Sequence, residues 1–234
     1  MKPIFIVSLP RSGSTLLQRI LSTSSDIATA PEPWVALPIA YMMKSVGESS
    51  EYGKEWEKMA FKDFFNSKTT NVFYSAAAQF LTSLYESKCN HNECYFLDKT
   101  PRYYMILDEL LKIFPEAKFI VLTRNPLDVI ASSIDTWGKK GCWNTYAMKL
   151  DLTEGIRRIT NFLHENDNLL HISYQDLTSS LLEQVLKIEK YLGVNLDLNA
   201  IQNIGDIQIG GALGDPIGVR KYSKVQAKPT GFYL

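Results

Sequence analysis

The stretch 4-IFIVSLPRSGSTLLQRIL-21 constrains the fold more than any other part of the chain. A short apolar run passes into a Pro-Arg-Ser-Gly-Ser-Thr turn, and from Leu16 on apolar side chains recur at helical spacing. The run predicts a strand buried on both faces, and the turn predicts a loop leading into a helix that Ser12 and Ser14 can cap. Because backbone N–H groups at such a helix N-terminus bind anions, the stretch predicts a phosphate-binding loop.

Apolar strands and helices continue to alternate along the chain. Three later segments, at 94–114, 118–134 and 168–192, repeat the order of strand, turn and helix, whereas 26–33 is predicted to be a loop. A helical pattern also spans about 143–166. Four strands that alternate with helices predict a three-layer α/β/α fold with a mostly parallel sheet. Together with the phosphate-binding loop after the first strand, this order predicts a fold like that of the P-loop NTPases.

The length of 234 residues suits a single domain over 1–234. Its last part, 203–234, is rich in glycine and poorly periodic, and it contains a basic cluster with Arg220 and Lys221. We expect this part to be a flexible loop or flap. The basic cluster is either a solvated surface or a means of closing over an anionic ligand.

Ligands of parallel α/β sheets lie beyond the C-terminal ends of the strands. That rule selects the loops around Arg11, Lys99, Arg124 and Tyr174, each of which carries polar residues that can contact an anion or a base.

The first of these loops departs from the P-loop pattern G-x-x-x-x-G-K-[ST]. In 8-SLPRSGST-15, Gly13 is kept and Thr15 follows, but Ser14 stands where the lysine would be. Arg11 supplies the positive charge instead. The loop therefore predicts a phosphate-like ligand that differs from a nucleoside triphosphate.

The strand 119-FIVLTR-124 departs from that pattern as well, because it ends in arginine where a Mg-nucleotide enzyme is expected to have Asp. An arginine cannot hold Mg²⁺, but it can clamp a phosphate bidentately. Ser132, eight residues further on, could offer a hydroxyl to the same phosphate. As an alternative, Arg124 caps a helix or forms an ion pair. We expect no metal.

The segments 9-LPRSGSTLL-17, 119-FIVLTRNPLDVIASS-133 and 172-ISYQDL-177 together resemble the sulfotransferases that use 3′-phosphoadenosine 5′-phosphosulfate (PAPS). The resemblance implies PAPS as sulfuryl donor and its bisphosphate as product. It implies that the first motif binds the 5′-phosphosulfate, and that further residues bind the 3′-phosphate or lie near the adenine. The implied donor-binding residues are Arg11, Ser12, Gly13, Ser14 and Thr15, then Arg124 and Ser132, then Tyr174 near the adenine, and Arg220 and Lys221 in the late basic cluster.

Catalytic residues are implied by the tyrosylprotein and carbohydrate branches of that family. Glu32, within 30-APEPWVALP-38, matches their general base, and Lys99, within 98-DKTPRYY-104, matches a lysine that stabilises charge on the leaving phosphate. Arg11 matches an arginine with a catalytic role. As alternatives, Glu32 is a carboxylate at a helix N-terminus, and Lys99 pairs with Asp98.

The histidine base of cytosolic members has no counterpart, because His91, His164 and His171 all lie outside matching positions.

The acceptor stays open between carbohydrate, lipid, tyrosyl peptide, polyketide and small alcohol. Arg102 and Tyr103 are candidates for lining its pocket. Four aromatic residues could also contact it or pack in the core: Trp34, Tyr41, Trp137 and Trp143.

Charge and cysteine content bear on partners and location. The net charge of zero gives no reason to expect nucleic acid or an anionic membrane as partner, and no apolar run is long enough to cross a bilayer. Three cysteines do not form a disulfide framework, and 89-CNHNEC-94 is interpreted as a polar turn. Golgi members of the family carry an N-terminal anchor, whereas this chain begins at its first strand, so we expect a cytoplasmic protein.

Two other functions remain possible from the sequence. One is a P-loop kinase that uses Mg-ATP, and the other is a non-catalytic nucleotide-binding module.

Overall fold

The computed structural model describes residues 1–44, 54–90, 92–137, 146–209 and 225. Within these residues the strands form a five-stranded sheet in the order β2-β3-β1-β4-β5, and every pair of neighbouring strands is parallel. The strands are β1 (Lys2–Ser8), β2 (Ile27–Thr29), β3 (Tyr95–Asp98), β4 (Lys118–Thr123) and β5 (Leu170–Ser173).

Helices connect the strands. They are α1 (Ser14–Leu21), α2 (Ala36–Lys44), α3 (Lys54–Phe64), α4 (Ser67–Glu86), α5 (Leu107–Ile113), α6 (Pro126–Trp137), α7 (Tyr146–Leu150), α8 (Ile156–Glu165), α9 (Tyr174–Ser179), α10 (Leu181–Leu192) and α11 (Leu198–Gln202). Two 3₁₀ helices, Pro101–Met105 and Ile204–Asp206, and a π-helical turn, Asp151–Gly155, complete the described chain.

Apolar side chains cover both faces of the sheet. In β1, Phe5 and Val7 face one cluster while Ile4 and Ile6 face the other, and all four are fully buried. Alternate residues of a strand point to opposite faces, so a strand covered on both sides needs a continuous apolar run. Helices α2, α4, α5 and α8 pack on the first face, and α1, α9, α10 and α11 pack on the second. The predicted three-layer α/β fold with a parallel sheet is confirmed.

The prediction that 26–33 is a loop throughout is wrong, because this region contains the edge strand β2. Its three residues pair in parallel with β3, from Ile27 opposite Tyr95 to Thr29 opposite Leu97. A strand of three residues is too short to show a period of two, and its hydrogen bonds come from a partner far along the chain.

Two local predictions also need correction. Neither Ser12 nor Ser14 caps α1, because its N-cap residue is Gly13 and no side chain caps that helix. The pattern at 143–166 is helical from residue 146 on, but the π-helical turn Asp151–Gly155 separates α7 from α8.

The segment 203–234 begins with packed residues. Ile204 is fully buried, and a guanidinium N–H of Arg19 in α1 donates to its carbonyl oxygen. Residues 210–224 and 226–234, which include Arg220 and Lys221, lie outside the described residues. Among the described helices, none is long and apolar enough to cross a bilayer.

Candidate active site

Gly13 shapes the loop between β1 and α1. Its φ is +96°, and a Cβ at this position would lie 2.4 Å from Cδ2 of Tyr174, so only glycine fits. A helical hydrogen bond runs from the Leu17 N–H to the Gly13 carbonyl oxygen. The N–H groups of the first turn therefore face the loop without intrahelical partners, and no side chain caps them. This is the local structure that binds an anion.

Arg11 lies at the centre of the donor-binding residues that the sequence predicts. Its Nε donates to Ser132 Oγ at 3.3 Å, and its guanidinium carbon lies 5.9 Å from the centroid of the Trp137 ring. Its backbone has a φ of +67°, which is uncommon for a residue with a side chain. Nη1 of Arg124 donates to the Arg11 carbonyl oxygen at 3.0 Å and thereby holds this conformation.

Arg124 and Tyr174 form a stack beside the loop. The guanidinium carbon lies 4.2 Å from the centroid of the Tyr174 ring, and that ring packs against Gly13. The Arg124 side chain is 7% exposed, and its Nε lies 4.0 Å from Oδ2 of Asp128, which is an ion-pair distance but too long for a hydrogen bond. In the described part of the chain this buried Nε has no hydrogen-bond partner. A phosphate oxygen would satisfy it, so Arg124 fits the predicted role.

Glu32 and Lys99 form a buried ion pair at the same edge of the sheet. Lys99 Nζ donates to Glu32 Oε1 at 2.8 Å, and the lysine and glutamate side chains are 1% and 12% exposed. Nε1 of Trp34 donates to Glu32 Oε2 at 3.2 Å. Lys99 Nζ also lies 3.5 Å from Thr15 Oγ1, so the pair borders the phosphate-binding loop.

The strand ends explain how the pair forms. β3 ends at Asp98, directly before Lys99, and β2 ends at Thr29, three residues before Glu32. Because β2 and β3 are parallel neighbours, Glu32 and Lys99 lie at the same edge of the sheet. The Lys99 ammonium forms its ion pair with Glu32 rather than with the adjacent Asp98. Glu32 lies four residues before α2. Its carboxylate is therefore held by the ion pair with Lys99 and is not part of the N-terminus of that helix.

Asp98 is a residue that sequence reasoning considered only as a partner for Lys99. Its side chain is fully buried and accepts from three hydroxyls, those of Thr100 at 2.8 Å, Tyr85 at 2.8 Å and Tyr103 at 3.0 Å. Burial raises the pKa of Asp98 to about 6, although the three hydrogen bonds act in the opposite direction. Burial and the nearby carboxylate raise the pKa of both tyrosines. The signal in the sequence was an acidic residue at the end of an apolar strand, followed closely by hydroxyls.

The two candidates for the acceptor pocket differ in position. Tyr103 is fully buried, so it does not line an open pocket and that prediction is wrong. Arg102 is partly exposed, and its Nε and Nη2 bind the two oxygens of Asp151 at 3.1 Å and 2.8 Å. The Tyr104 hydroxyl donates to the same carboxylate at 2.6 Å. Arg102 is thus held in place. Burial lowers the pKa of its guanidinium, but the hydrogen bonds and the charge of Asp151 outweigh this effect and raise that pKa above its ordinary value.

Other residues considered in the sequence lie elsewhere. Tyr41 contacts Met105 Sδ at 3.6 Å, and His171 Nε2 lies 2.8 Å from Thr123 Oγ1. His91, Trp143, Arg220 and Lys221 lie outside the described residues. Among the residues that the structure describes, no group of three or more His, Cys, Asp or Glu side chains is placed to hold a metal ion.

A parallel α/β sheet with an uncapped helix N-terminus after β1 and a buried arginine after β4 defines a fold of the P-loop-like class. The profile of the sulfotransferase family matches residues 3–197, so the chain belongs to the sulfotransferase family.

The chain is similar to two curated proteins over part of their length. The chain is 35% identical over 139 residues to nodulation protein NoeE of Sinorhizobium fredii, and this match covers 57% of the chain and 31% of NoeE. It is 31% identical over 180 residues to protein-tyrosine sulfotransferase 1 of Danio rerio, covering 74% of the chain and 48% of that protein. The chain therefore spans less than half the length of these two curated relatives.

Solved structures agree on the fold. A sulfotransferase domain from the curacin biosynthetic pathway matches with a TM-score of 0.61 at 23% identity, covering 96% of the chain and 84% of that domain. A sulfotransferase domain from the Synechococcus PCC 7002 olefin synthase matches with a TM-score of 0.63 at 22% identity and the same coverage. The fold class, including its P-loop-like character, is confirmed.

Proposed function

We propose that the chain transfers a sulfuryl group from PAPS to an acceptor hydroxyl, with Glu32 as general base. The observation that carries this proposal is the buried Glu32–Lys99 pair, which borders the anion-binding loop at Thr15. A module that only bound a nucleotide would need the loop and Arg124, but it would not need a buried carboxylate beside them.

The donor-binding role rests on the groups around the loop. The first-turn N–H groups of α1 suit the 5′-phosphosulfate, and the buried Nε of Arg124 together with Ser132 suits the 3′-phosphate. When bound, the donor supplies the sulfuryl group, and its bisphosphate leaves with the electrons of the broken sulfur–oxygen bond. Arg11 Nε donates to Ser132 Oγ, so it joins the anion-binding loop to the residues suited to the 3′-phosphate.

Glu32 takes the proton of the acceptor hydroxyl. Each of its oxygens already accepts one hydrogen bond, from Lys99 and from Trp34, which fixes the orientation of the carboxylate. A carboxylate has about four lone pairs, so each oxygen can accept one more hydrogen bond. Lys99 lies between Glu32 and the loop, where its charge stabilises the negative charge that develops on the leaving phosphate.

The acceptor is proposed at the level of a hydroxyl. The resemblance to a protein-tyrosine sulfotransferase supports a tyrosyl hydroxyl as one candidate, and carbohydrate, lipid, polyketide and small alcohols are the others. Trp34 and Trp137 contact Glu32 and Arg11 respectively, so both aromatic rings border the site that an acceptor would enter.

A thermal-shift experiment with adenosine 3′,5′-bisphosphate tests the donor. A ligand at 100 times its Kd stabilises the folded protein by about 2.7 kcal/mol, so we expect a clear rise in Tm with the bisphosphate and none with Mg-ATP. The Arg124→Ala variant is the control and should lose the shift. A shift with Mg-ATP and none with the bisphosphate would favour a kinase and overturn the proposal.

A second experiment separates an enzyme from a binding module. Sulfur-labelled PAPS is incubated with a panel that contains a tyrosyl peptide, an oligosaccharide, a lipid alcohol and small alcohols. Label transferred to any of these in the presence of wild-type protein supports the proposed reaction. Binding of the bisphosphate without transfer to any member of the panel would favour a non-catalytic module.

A further inference from the structure

The segment that carries Glu32 is anchored to the segment that carries Lys99 by hydrogen bonds through one buried carboxylate. Asp98 is the last residue of β3 and directly precedes Lys99. Its carboxylate is fully buried, and two of the three hydroxyls that donate to it also accept backbone N–H groups from the segment after Glu32.

The first connection runs through Thr100. The Thr100 hydroxyl donates to Asp98 Oδ1 at 2.8 Å and accepts from the Trp34 N–H at 3.3 Å. Trp34 has a φ of +57°, which is costly for a bulky residue unless its surroundings hold it. The same residue donates its indole N–H to Glu32, so its backbone position affects the base.

The second connection runs through Tyr103. Its hydroxyl donates to Asp98 Oδ2 at 3.0 Å and accepts from the Ala36 N–H at 3.1 Å. Tyr85 in α4 donates to the same oxygen at 2.8 Å, but its hydroxyl accepts no backbone N–H from the described part of the Glu32 segment. Tyr85 and Tyr103 therefore differ in whether the hydrogen bonds continue to that segment.

We propose that Asp98 is a positioning residue, which acts through the hydroxyls of Thr100 and Tyr103 to fix Glu32 and Trp34 against Lys99. Each hydroxyl has one hydrogen, and donating it to Asp98 turns its lone pairs towards the backbone N–H group. Consecutive hydrogen bonds of this kind strengthen one another. The importance for catalysis rests on the proposed function, whereas the positional effect does not.

Matched tyrosine variants test this inference. Tyr103→Phe and Tyr85→Phe each remove one oxygen atom and one hydrogen bond to Asp98 Oδ2, but only Tyr103→Phe also leaves the Ala36 N–H without its acceptor. The readout is the indole ¹⁵N–¹H resonance of Trp34, assigned with Trp34→Phe. The indole of Trp56, which is 78% exposed, is an internal reference.

We expect Tyr103→Phe to move or broaden the Trp34 indole resonance beyond its linewidth. Tyr85→Phe should leave the Trp34 resonance as in wild type, and neither variant should change the Trp56 resonance. Thr100→Val should move the Trp34 resonance as well, and Thr100→Ser, which keeps the hydroxyl, should restore it. Tyr103→Phe should also lower Tm more than Tyr85→Phe does, because it leaves the buried Ala36 N–H group without an acceptor. An unchanged Trp56 signal in both variants shows that the fold is retained.

A Trp34 resonance unchanged in both Tyr103→Phe and Thr100→Val, or moved equally by Tyr85→Phe, would overturn the inference. If Tyr103→Phe does not fold, the Thr100→Val and Thr100→Ser pair decides the question alone. Wild-type protein is tested in parallel for binding of adenosine 3′,5′-bisphosphate. Failure there would overturn the donor assignment and leave the indole result intact.

Discussion

Two groups of residues meet at the C-terminal edge of the sheet, and they differ in how their hydrogen bonds are used. On the β1–β4 side, formed by Arg11, Gly13, Arg124 and Tyr174, the first-turn N–H groups are uncapped and Arg124 Nε is buried without a hydrogen-bond partner among the described residues. On the β2–β3 side, formed by Glu32, Lys99 and Asp98, both oxygens of each carboxylate accept hydrogen bonds.

The difference indicates a division of work. Unused donors on the β1–β4 side are suited to a ligand that brings its own acceptors, as a phosphate does. The satisfied carboxylates on the β2–β3 side are held in place before any ligand arrives, which is the arrangement that catalysis by positioning and charge requires. Variants on the β1–β4 side should therefore weaken donor binding, and variants on the β2–β3 side should slow transfer.

Glu32→Gln gives the largest expected effect and tests this separation directly. Loss of a general base lowers the rate by about 10²- to 10⁴-fold, while binding of the bisphosphate should be retained. Label transfer from PAPS and calorimetric binding of the bisphosphate measure the two quantities. Glu109→Gln is the matched control, because Glu109 is also buried and forms an ion pair with Lys44 at 3.2 Å. This pair lies outside the site. Retained turnover in Glu32→Gln would remove Glu32 from the role of base.

Gly13→Ala gives the next largest effect and acts on the β1–β4 side. The new methyl group would lie 2.4 Å from the Tyr174 ring at a φ of +96°, so the loop must shift. We expect the affinity for the bisphosphate, measured by calorimetry, to fall by about 100-fold or more, because displaced N–H groups lose their charge-assisted hydrogen bonds.

Gly193→Ala distinguishes the effect of the clash with Tyr174 from the effect of a positive φ. Gly193 also has a positive φ, +72°, but a methyl group added there would meet no atom within 4 Å. This variant should lose about 1 to 2 kcal/mol of stability and keep its affinity for the bisphosphate. Equal binding losses in both glycine variants would contradict the role of the Tyr174 contact.

Asp98→Asn tests whether the β2–β3 side carries a buried charge. Burial raises the pKa of Asp98 from 3.8 to about 6, so between these pH values the folded protein holds a proton that the unfolded chain releases. The free energy of unfolding therefore falls as pH rises from about 4 to about 6, by an amount of the order of 3 kcal/mol for this group.

Urea unfolding of wild type and Asp98→Asn at a series of pH values measures this effect. Asp98→Asn should be less stable overall, because an amide cannot accept from all three hydroxyls, but it should lack this part of the pH dependence. Parallel curves for the two proteins across this range would show that Asp98 does not titrate there.

Arg124→Lys gives the smallest effect and asks whether charge alone is enough on the β1–β4 side. Lysine keeps the positive charge but loses the planar fork that donates to the Arg11 carbonyl oxygen and stacks on Tyr174. We expect bisphosphate affinity to fall by about 10-fold, measured by calorimetry, since lysine binds phosphate only as a point charge. Arg158→Lys in α8 is the control and should bind as wild type does. Unchanged affinity in Arg124→Lys would exclude a bidentate contact.

Much of the β1–β4 side could be predicted from the sequence because its residues lie in continuous strand–turn–helix segments. The apolar run of β1, the glycine of the loop and the eight-residue spacing from Arg124 to Ser132 are all local patterns. The structure also places Arg11 Nε 3.3 Å from Ser132 Oγ, a contact that these patterns did not predict. The donor itself stays a prediction.

The β2–β3 side could be predicted only in part. Glu32 and Lys99 were identified by resemblance to a family, and the contact between them joins residues 67 positions apart. The strand β2, which brings Glu32 to the sheet edge, shows no period in three residues. The role of Asp98 was missed, because its three hydroxyl partners come from α4, the loop after β3 and the following 3₁₀ helix.

The sequence by itself determined the layers of the fold, and it predicted the edge at which ligands bind and an arginine after β4 where a metal-binding carboxylate would otherwise be expected. These follow from hydrophobic period and strand direction, which act over a few residues. Only the tertiary structure decided that Lys99 pairs with Glu32 and that Asp98 joins their two segments. Those contacts depend on which strands become neighbours, and burial away from water then requires each charge and hydroxyl to find a partner within the protein.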